Sequence, residues 1–136
     1  VGHSLGGIVA TLLAAKYPDQ VTHLVVISSP LAGSRAATAL QWMPGYPKVL
    51  QDITPKSKYI TQILAMKLEL PAISIISTGG HLNTSNEPND GVVTVSSQKA
   101  LKFGKKFEIN ANHFEVLMVD KMIKHLRDFL FDEENA

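Results

Sequence analysis

Three residues in this sequence have the types and the chain order that nucleophilic catalysis requires. Ser4 stands in Gly2-His3-Ser4-Leu5-Gly6, a Gly-x-Ser-x-Gly run set directly before a long apolar stretch. A serine hydroxyl attacks a carbonyl only when a base takes its proton and an acid orients that base. Asp90, in Asn89-Asp90-Gly91-Val92-Val93, offers a carboxylate, and His113, in Asn110-Ala111-Asn112-His113-Phe114, offers an imidazole after it. Such a set would attack an ester-like carbonyl and release the acyl-enzyme to water. A serine flanked this way sits on a sharp strand-to-helix turn in a strained φ/ψ region. Glycine is expected at positions 2 and 6 because a Cβ at either would crowd the adjoining strand or helix. The N–H of Leu5 is the expected first oxyanion donor, since a helix beginning there aims its N-terminal N–H groups at the serine.

Each of these residues also has a plain structural reading. Asp-Gly is a common turn dipeptide, and Asn112 beside His113 is a good helix cap. The order serine, acid, histidine across three separate motifs is what singles the set out. Among rival carboxylates, Glu87 shares the Asp90 loop and is the main competitor, whereas Asp19 ends a helix, Asp52 precedes a Pro-containing loop, and Asp120 and Asp128 fall on a helix's polar face. Of the other histidines, His3 is the variable position beside the serine and His23 falls inside a strand. His81 lies in the acid loop, where it could line the pocket, and His125 shares a polar helix face with Lys121 and Lys124.

The elements around these residues follow from hydrophobic periodicity. Leu5 to Tyr17 reads as a helix that is apolar nearly all round, as for a helix buried against a sheet, and Pro18 and Asp19 end it. Val21 to Ile27 and Ala72 to Ser77 read as strands covered on both faces. Arg35 to Met43 predicts a short helix, Ser57 to Leu68 another, and Phe107 to Asn110 a third, short strand. Thr78 to Asn89 is a polar loop. Phe114 to Phe131 predicts a last helix with Leu117, Met122, Ile123, Leu126, Phe129 and Leu130 on one face. This alternation predicts an α/β fold with a mostly parallel sheet and helices on both faces. Residues 36–66, with Trp42, Met43, Tyr46 and Tyr59, are long enough for a cap or lid and fit outer-helix packing equally.

Bulk properties narrow the function further. The 136 residues make one domain at most. A net charge of +1 with no block of like charge gives no electrostatic case for nucleic acid. Cysteine is absent, which removes a thiolate nucleophile and Cys-based metal binding, and no His-x-x-x-His spacing offers zinc a foothold. Apolar runs break well before the ~20 residues of a membrane helix. Composition is compatible with a cytoplasmic or a secreted enzyme.

The motifs also resemble a known family. Gly2-His3-Ser4-Leu5-Gly6-Gly7 resembles the nucleophile elbow of bacterial triacylglycerol lipases and related esterases of the α/β-hydrolase superfamily. Asn89-Asp90-Gly91-Val92-Val93 resembles their Asn-Asp-Gly-Leu-Val acid motif, and Asn112-His113-Phe114-Glu115-Val116 is similar to their Asn-His-Leu-Asp-Glu base motif. Ser29-Pro30-Leu31-Ala32-Gly33-Ser34 is similar to their Thr-Pro-His-x-Gly-Ser. The resemblance implies the C-terminal half of an α/β-hydrolase fold, a single partial domain over 1–136, with the second oxyanion N–H upstream of Val1. It implies Ser4, Asp90 and His113 as the triad of a carboxylic ester hydrolase for hydrophobic or lipid esters. An acyltransferase or thioesterase would use the same triad, and a non-catalytic binding module on this scaffold is the remaining alternative. Leu31 and Ala32 replace a His-Arg type pair, so no role of those side chains transfers. Some of these lipases hold calcium through a carboxylate two residues after the histidine and another before the acid motif. Glu115 fills the first place but only the remote Glu69 could fill the second, so no cofactor or metal is expected.

Overall fold

Leu24–Ile27 and Ala72–Ser77 carry no charged side chain, and such runs are stable as strands only when both faces are covered. In the computed structural model, which describes residues 1–39, 44–82 and 85–132, they are the two central strands. The four-stranded sheet runs β1 (Gly2–His3), β2 (Leu24–Ile27), β3 (Ala72–Ser77), β4 (Lys105–Ile109), with neighbours in that order. All three pairings are parallel, with Gly2 opposite Val26, Ile27 opposite Ile75 and Ile75 opposite Phe107. Parallel strands bring their C-terminal ends to one edge, the place where ligands bind in open α/β sheets. The segments after β1, β2, β3 and β4 therefore share that edge: Ser4, residues 28–34, residues 78–82 and 85–94, and residues 110–114.

Side chains alternate across β2, which divides the core into two layers. Leu24 and Val26 pack with Ala72, Ile8 and Ala14 of α1 (Leu5–Lys16), and Ile60 and Ile63 of α4 (Lys58–Ala65). Val25 and Ile27 pack with Ile73, Ile75, Ile109, Val116 and Met122 of α6 (Asp120–Phe131). Each fully buried Leu or Ile contributes ~1.5–3 kcal/mol, so the helices on both faces hold the sheet edge that carries the candidate residues. Short helices α2 (Arg35–Ala39), α3 (Lys48–Asp52) and α5 (Val95–Gln98) lie in the connections. Among the described residues no helix is long and apolar enough to cross a membrane.

The expected parallel α/β architecture is present, with several local corrections. β2 begins at Leu24, where the ladder starts with the Leu24 N–H bonded to Pro71 O, so Val21 and His23 precede the strand. β4 starts earlier than the apolar pattern suggested, at Lys105, because its outward residues are charged, as suits an edge strand. The last helix is two pieces, a 3₁₀ turn at Glu115–Met118 and α6, separated by Val119 in an extended conformation. That break leaves Leu117 and Ile123 exposed. α1 buries one side only, Gly7, Ile8, Thr11 and Ala14, and leaves Val9 and Leu13 about half exposed. α2 is described to Ala39, so the rest of the Arg35–Met43 helix, Trp42 and Met43 lie outside the described residues.

Candidate active site

Ser4 links β1 to α1, and its backbone is held at φ 56°, ψ −124°. A non-glycine residue reaches that region only when its surroundings over-determine it. Here the Ser4 N–H donates to Ile27 O at 2.8 Å, and Ser4 O accepts from Gly7 N–H at 3.0 Å. A Cβ on Gly2 would lie 2.2 Å from Gly6 O, so glycine at position 2 is a packing requirement. The expectation for Gly6 is corrected: a Cβ there meets nothing within 4 Å, because the residue faces outward from the first turn. The tight neighbour is Gly7, where a Cβ would lie 1.8 Å from Ser29 Oγ.

Serine is a preferred N-cap, in which role its hydroxyl accepts from the second or third helical N–H. Ser4 occupies the N-cap of α1 but makes no such bond, and its hydroxyl has no hydrogen-bond partner among the described residues. The Leu5 N–H likewise donates to no backbone acceptor among the described residues, as expected of a first-turn donor.

Asp90 and His113 are brought together by loops that follow different strands. Both are nearly fully buried, at 1% and 3% exposure. Asp90 Oδ2 accepts from His113 Nδ1 at 2.7 Å and from the Ser77 hydroxyl at 2.5 Å. Its Oδ1 accepts the N–H groups of Val92, at 3.0 Å, and Val93, at 2.7 Å. Burial by itself pushes the Asp90 carboxyl up, but the bonds from His113, Ser77, Val93 and Val92 outweigh it and hold the carboxyl below its ordinary value. An ionised carboxylate can only accept, so the proton of this pair sits on His113 Nδ1 and leaves Nε2 as the basic nitrogen. The His113 N–H also donates to Asp90 O at 2.9 Å, clamping the two loops backbone to backbone.

His3 joins this pair to the serine. Its Nε2 donates to His113 O at 2.8 Å, and the two rings lie 4.8 Å apart. The Ser4 hydroxyl itself makes no hydrogen bond to His113; the serine is tied to His113 through the backbone and His3. Sequence reasoning passed over His3, and no local signal marks a contact to a loop 110 residues away. The remaining candidates fall elsewhere. Glu87 is exposed and accepts from the Ser96 hydroxyl at 3.4 Å, not from His113. His81 borders a cleft of about 570 Å³ over the Asp90–His113 pair, with Gly80, Val92, Asn112 and Phe114. His125 is corrected: it stacks on Phe107 of β4 with ring centroids 4.1 Å apart, and its Nε2 is buried without a partner among the described residues. A second cavity of about 520 Å³ shares Val92 with the first and is lined by Ala32, Pro55, Leu82 and Val93. Among the described residues no three His, Asp or Glu side chains are grouped to hold a metal; the Glu115 carboxylate accepts from Asn112 N–H, and Glu69 is exposed.

A strained serine between a parallel strand and a helix, with an acid and a histidine on later loops of the same sheet edge, defines an α/β-hydrolase architecture. The chain has the fold of the α/β hydrolases. Residues 1–58 match a family model described as the alpha/beta hydrolase fold. Similar solved structures include a metagenomic carboxyl esterase (TM-score 0.66, 17% identity, 84% of this chain and 44% of that one). A Listeria innocua gene product is similar at TM-score 0.61 and 18% identity, over 96% of this chain and 56% of that one. A thioesterase domain from the curacin biosynthetic pathway is similar at TM-score 0.55 and 14% identity, over 92% and 62%. In sequence, the chain is 39% identical over 75 residues to a 1-acylglycerol-3-phosphate O-acyltransferase of Saccharomyces cerevisiae, covering 52% of this chain and 17% of that protein. The chain thus spans about half the length of the first two structures and a smaller part of the yeast relative.

Proposed function

We propose that this chain carries the nucleophile, base and orienting acid of a serine-dependent carboxylic ester hydrolase acting on hydrophobic or lipid esters. Ser4 Oγ attacks the ester carbonyl while His113 Nε2 takes its proton. The tetrahedral oxyanion is received by the Leu5 N–H, together with a second donor. His113 returns the proton to the leaving alcohol, and water repeats the cycle on the acyl-enzyme with His113 again as base. Asp90 keeps His113 in the Nδ1–H tautomer and stabilises the imidazolium. The observation that carries this reading is the pairing of a strained, uncommitted serine hydroxyl with a buried Asp–His pair joined to it through His3. The apolar wall of Ala32, Pro55, Leu82, Val92 and Val93 beside the pair suits an acyl chain.

A second reading keeps the same residues and changes the acceptor. The yeast relative is named for acyl transfer to 1-acylglycerol-3-phosphate, and an alcohol in place of water would give that outcome here. The deciding experiment treats the protein with a fluorophosphonate and follows turnover of p-nitrophenyl esters of rising chain length. Label is expected on Ser4 in the wild type and none in Ser4→Ala, with His113→Ala and Asp90→Asn lowering kcat by ~10³–10⁴-fold. Labelling that persists in Ser4→Ala, or is absent throughout, sinks the proposal. Ester turnover outpaced by transfer to an added monoacylglycerol phosphate would select the acyltransferase reading.

A further inference from the structure

Beneath the Asp90–His113 pair lies a closed polar network that the chemistry above leaves unused. Ser77, the last residue of β3, is fully buried, as are Ser28 and Gln98. The Ser77 hydroxyl meets Asp90 Oδ2 at 2.5 Å and Ser28 Oγ at 2.6 Å, and Gln98 Oε1 lies 3.2 Å away. Proton counting orders these bonds. Asp90 as a carboxylate cannot donate, so the single Ser77 proton goes to Oδ2, and Ser28 donates its own proton to Ser77. Gln98 fixes the hydroxyl from behind: its Oε1 accepts Ser77 N–H at 2.8 Å, and its Nε2 donates to Ser77 O at 2.9 Å and Val93 O at 3.3 Å. The amide therefore ties the end of β3 to the same loop that carries Asp90. Ser28 is in turn held at φ 52°, with its N–H on Ile75 O.

We propose that Ser77, aligned by Gln98 and Ser28, is a positioning residue that sets both the orientation of Asp90 and the share of its negative charge felt by His113. Two donors, Ser77 Oγ–H and His113 Nδ1–H, converge on one carboxylate oxygen. The Ser77 bond holds the carboxylate plane against rotation and draws charge from Oδ2. Without it, more charge would face His113 and its imidazolium would be stabilised further. The groups facing His113 are Asp90 from the acid loop, His3 from β1 at 4.8 Å between rings, and His81 across the cleft, while Ser77, Ser28 and Gln98 stay neutral. No local pattern in the sequence marks these three residues, because the bonds join positions 28, 77, 90 and 98.

This proposal rests on the triad reading, so its test includes a readout that does not need turnover. Ser77→Ala and Ser77→Thr are compared with Ser74→Ala, which removes a buried hydroxyl from the same strand that has no partner among the described residues. In Ser77→Ala, kcat is expected to fall about tenfold with KM little changed, as for a lost bond to a charged group. The acid limb of the kcat/KM profile is expected to move to higher pH. The proton resonance on His113 Nδ1 should shift. Ser77→Thr restores these values and Ser74→Ala leaves them unchanged. The proposal is overturned if the His113 Nδ1 proton resonance in Ser77→Ala matches the wild type. It is also overturned if the rate loss is matched by a fall in Tm that Ser77→Thr fails to recover. If the wild type neither labels nor hydrolyses, the esterase reading fails, and the His113 Nδ1 resonance still decides the role of Ser77.

Discussion

Gly80 is the position where one methyl group should do most damage to the site. It runs so close beneath the acid loop that a Cβ there would lie 1.8 Å from the carbonyl carbon of Asp90, 2.0 Å from Gly91 N and 2.3 Å from Asp90 O. All three are backbone atoms, so no side chain can swing aside. The two chains must part by on the order of 1.5 Å to reach ordinary carbon–carbon contact. Asp90 O is also the acceptor for His113 N–H at 2.9 Å, and Gly80 N–H is bonded to Asn89 O at 3.0 Å, so the displacement passes directly to Asp90 and His113. A shift of that size is several times what the 2.7 Å bond between Asp90 and His113 can absorb. Misplacement by 1 Å costs about 10²-fold in rate, and overpacking of this kind costs ~1–3 kcal/mol in stability. Gly80→Ala is therefore expected to lower kcat on a p-nitrophenyl ester by ~10²-fold or more and to lower Tm by several degrees. Gly6→Ala is the matched comparison: its Cβ meets nothing within 4 Å, and alanine is favoured over glycine in a helix by about 1 kcal/mol. It should keep full activity with an equal or higher Tm. A Gly80→Ala protein with wild-type kcat and Tm would refute the claim that the close approach beneath Asp90 sets the site.

Two further outcomes follow from the same geometry. His3→Ala removes the donor to His113 O and the ring beside the base; kcat should fall by about threefold to tenfold, with Tm lowered in line with one lost hydrogen bond. His3→Gln, which keeps a donor, should recover part of both, and unchanged kcat and Tm in His3→Ala would show the contact to be idle. Stability should also fall in acid in two stages, measured by urea unfolding from pH 8 to pH 3. His125 is held below its ordinary value of 6.5 by burial, then by Lys121 and Lys124, so the folded protein binds fewer protons than the unfolded chain. Its contribution is present above 6.5 and lost as pH falls through the folded value; His125→Leu should flatten that stage. Asp90 is held below its ordinary 3.8, so its contribution is present above that value and lost below it. Asp90→Asn should remove the lower stage, and an unaltered profile in both variants would contradict these assignments.

The parts of this fold legible in the sequence are those where local chemistry and local geometry coincide. The Gly2–Gly7 turn is readable because a backbone demand writes itself into residue type. β3 is readable to the residue because Ala72–Ser77 is buried on both faces and bounded by Pro71. β4 is readable only in part, since Lys105 and Lys106 give an edge strand no apolar alternation. The 3₁₀ turn at Glu115–Met118 was hidden because Leu117 and Met118 extend the apolar pattern of α6 while pointing to solvent. Helices α3 and α5, at five and four residues, are too short for a 3.6-residue period to register. Asp90 and His113 could be chosen by order, but their supports could not. Gly80 under Asp90, His3 against His113 and Gln98 behind Ser77 are contacts between distant segments, and no window along the chain contains both partners.

Those distant contacts explain why the elbow is more than a glycine-rich helix start. A serine at an ordinary N-cap would turn its hydroxyl onto the helix and stabilise it by ~1 kcal/mol. Ser4 gives up that bond and accepts a backbone conformation of a kind that costs ~1–3 kcal/mol. The offset comes from outside the turn: the Ser4 N–H fastened to Ile27 O, Gly2 closed against Gly6 and Gly7, and Gly7 closed against Ser29. Two of these three restraints involve β2 or the residue pair after it. The same segment supplies Ser28, whose hydroxyl reaches the network under Asp90. One strand end thus restrains the strained serine on one side and the acid on the other. Helix stability alone would not select that arrangement, because it leaves a good capping hydroxyl free at the sheet edge where the Asp–His pair is buried.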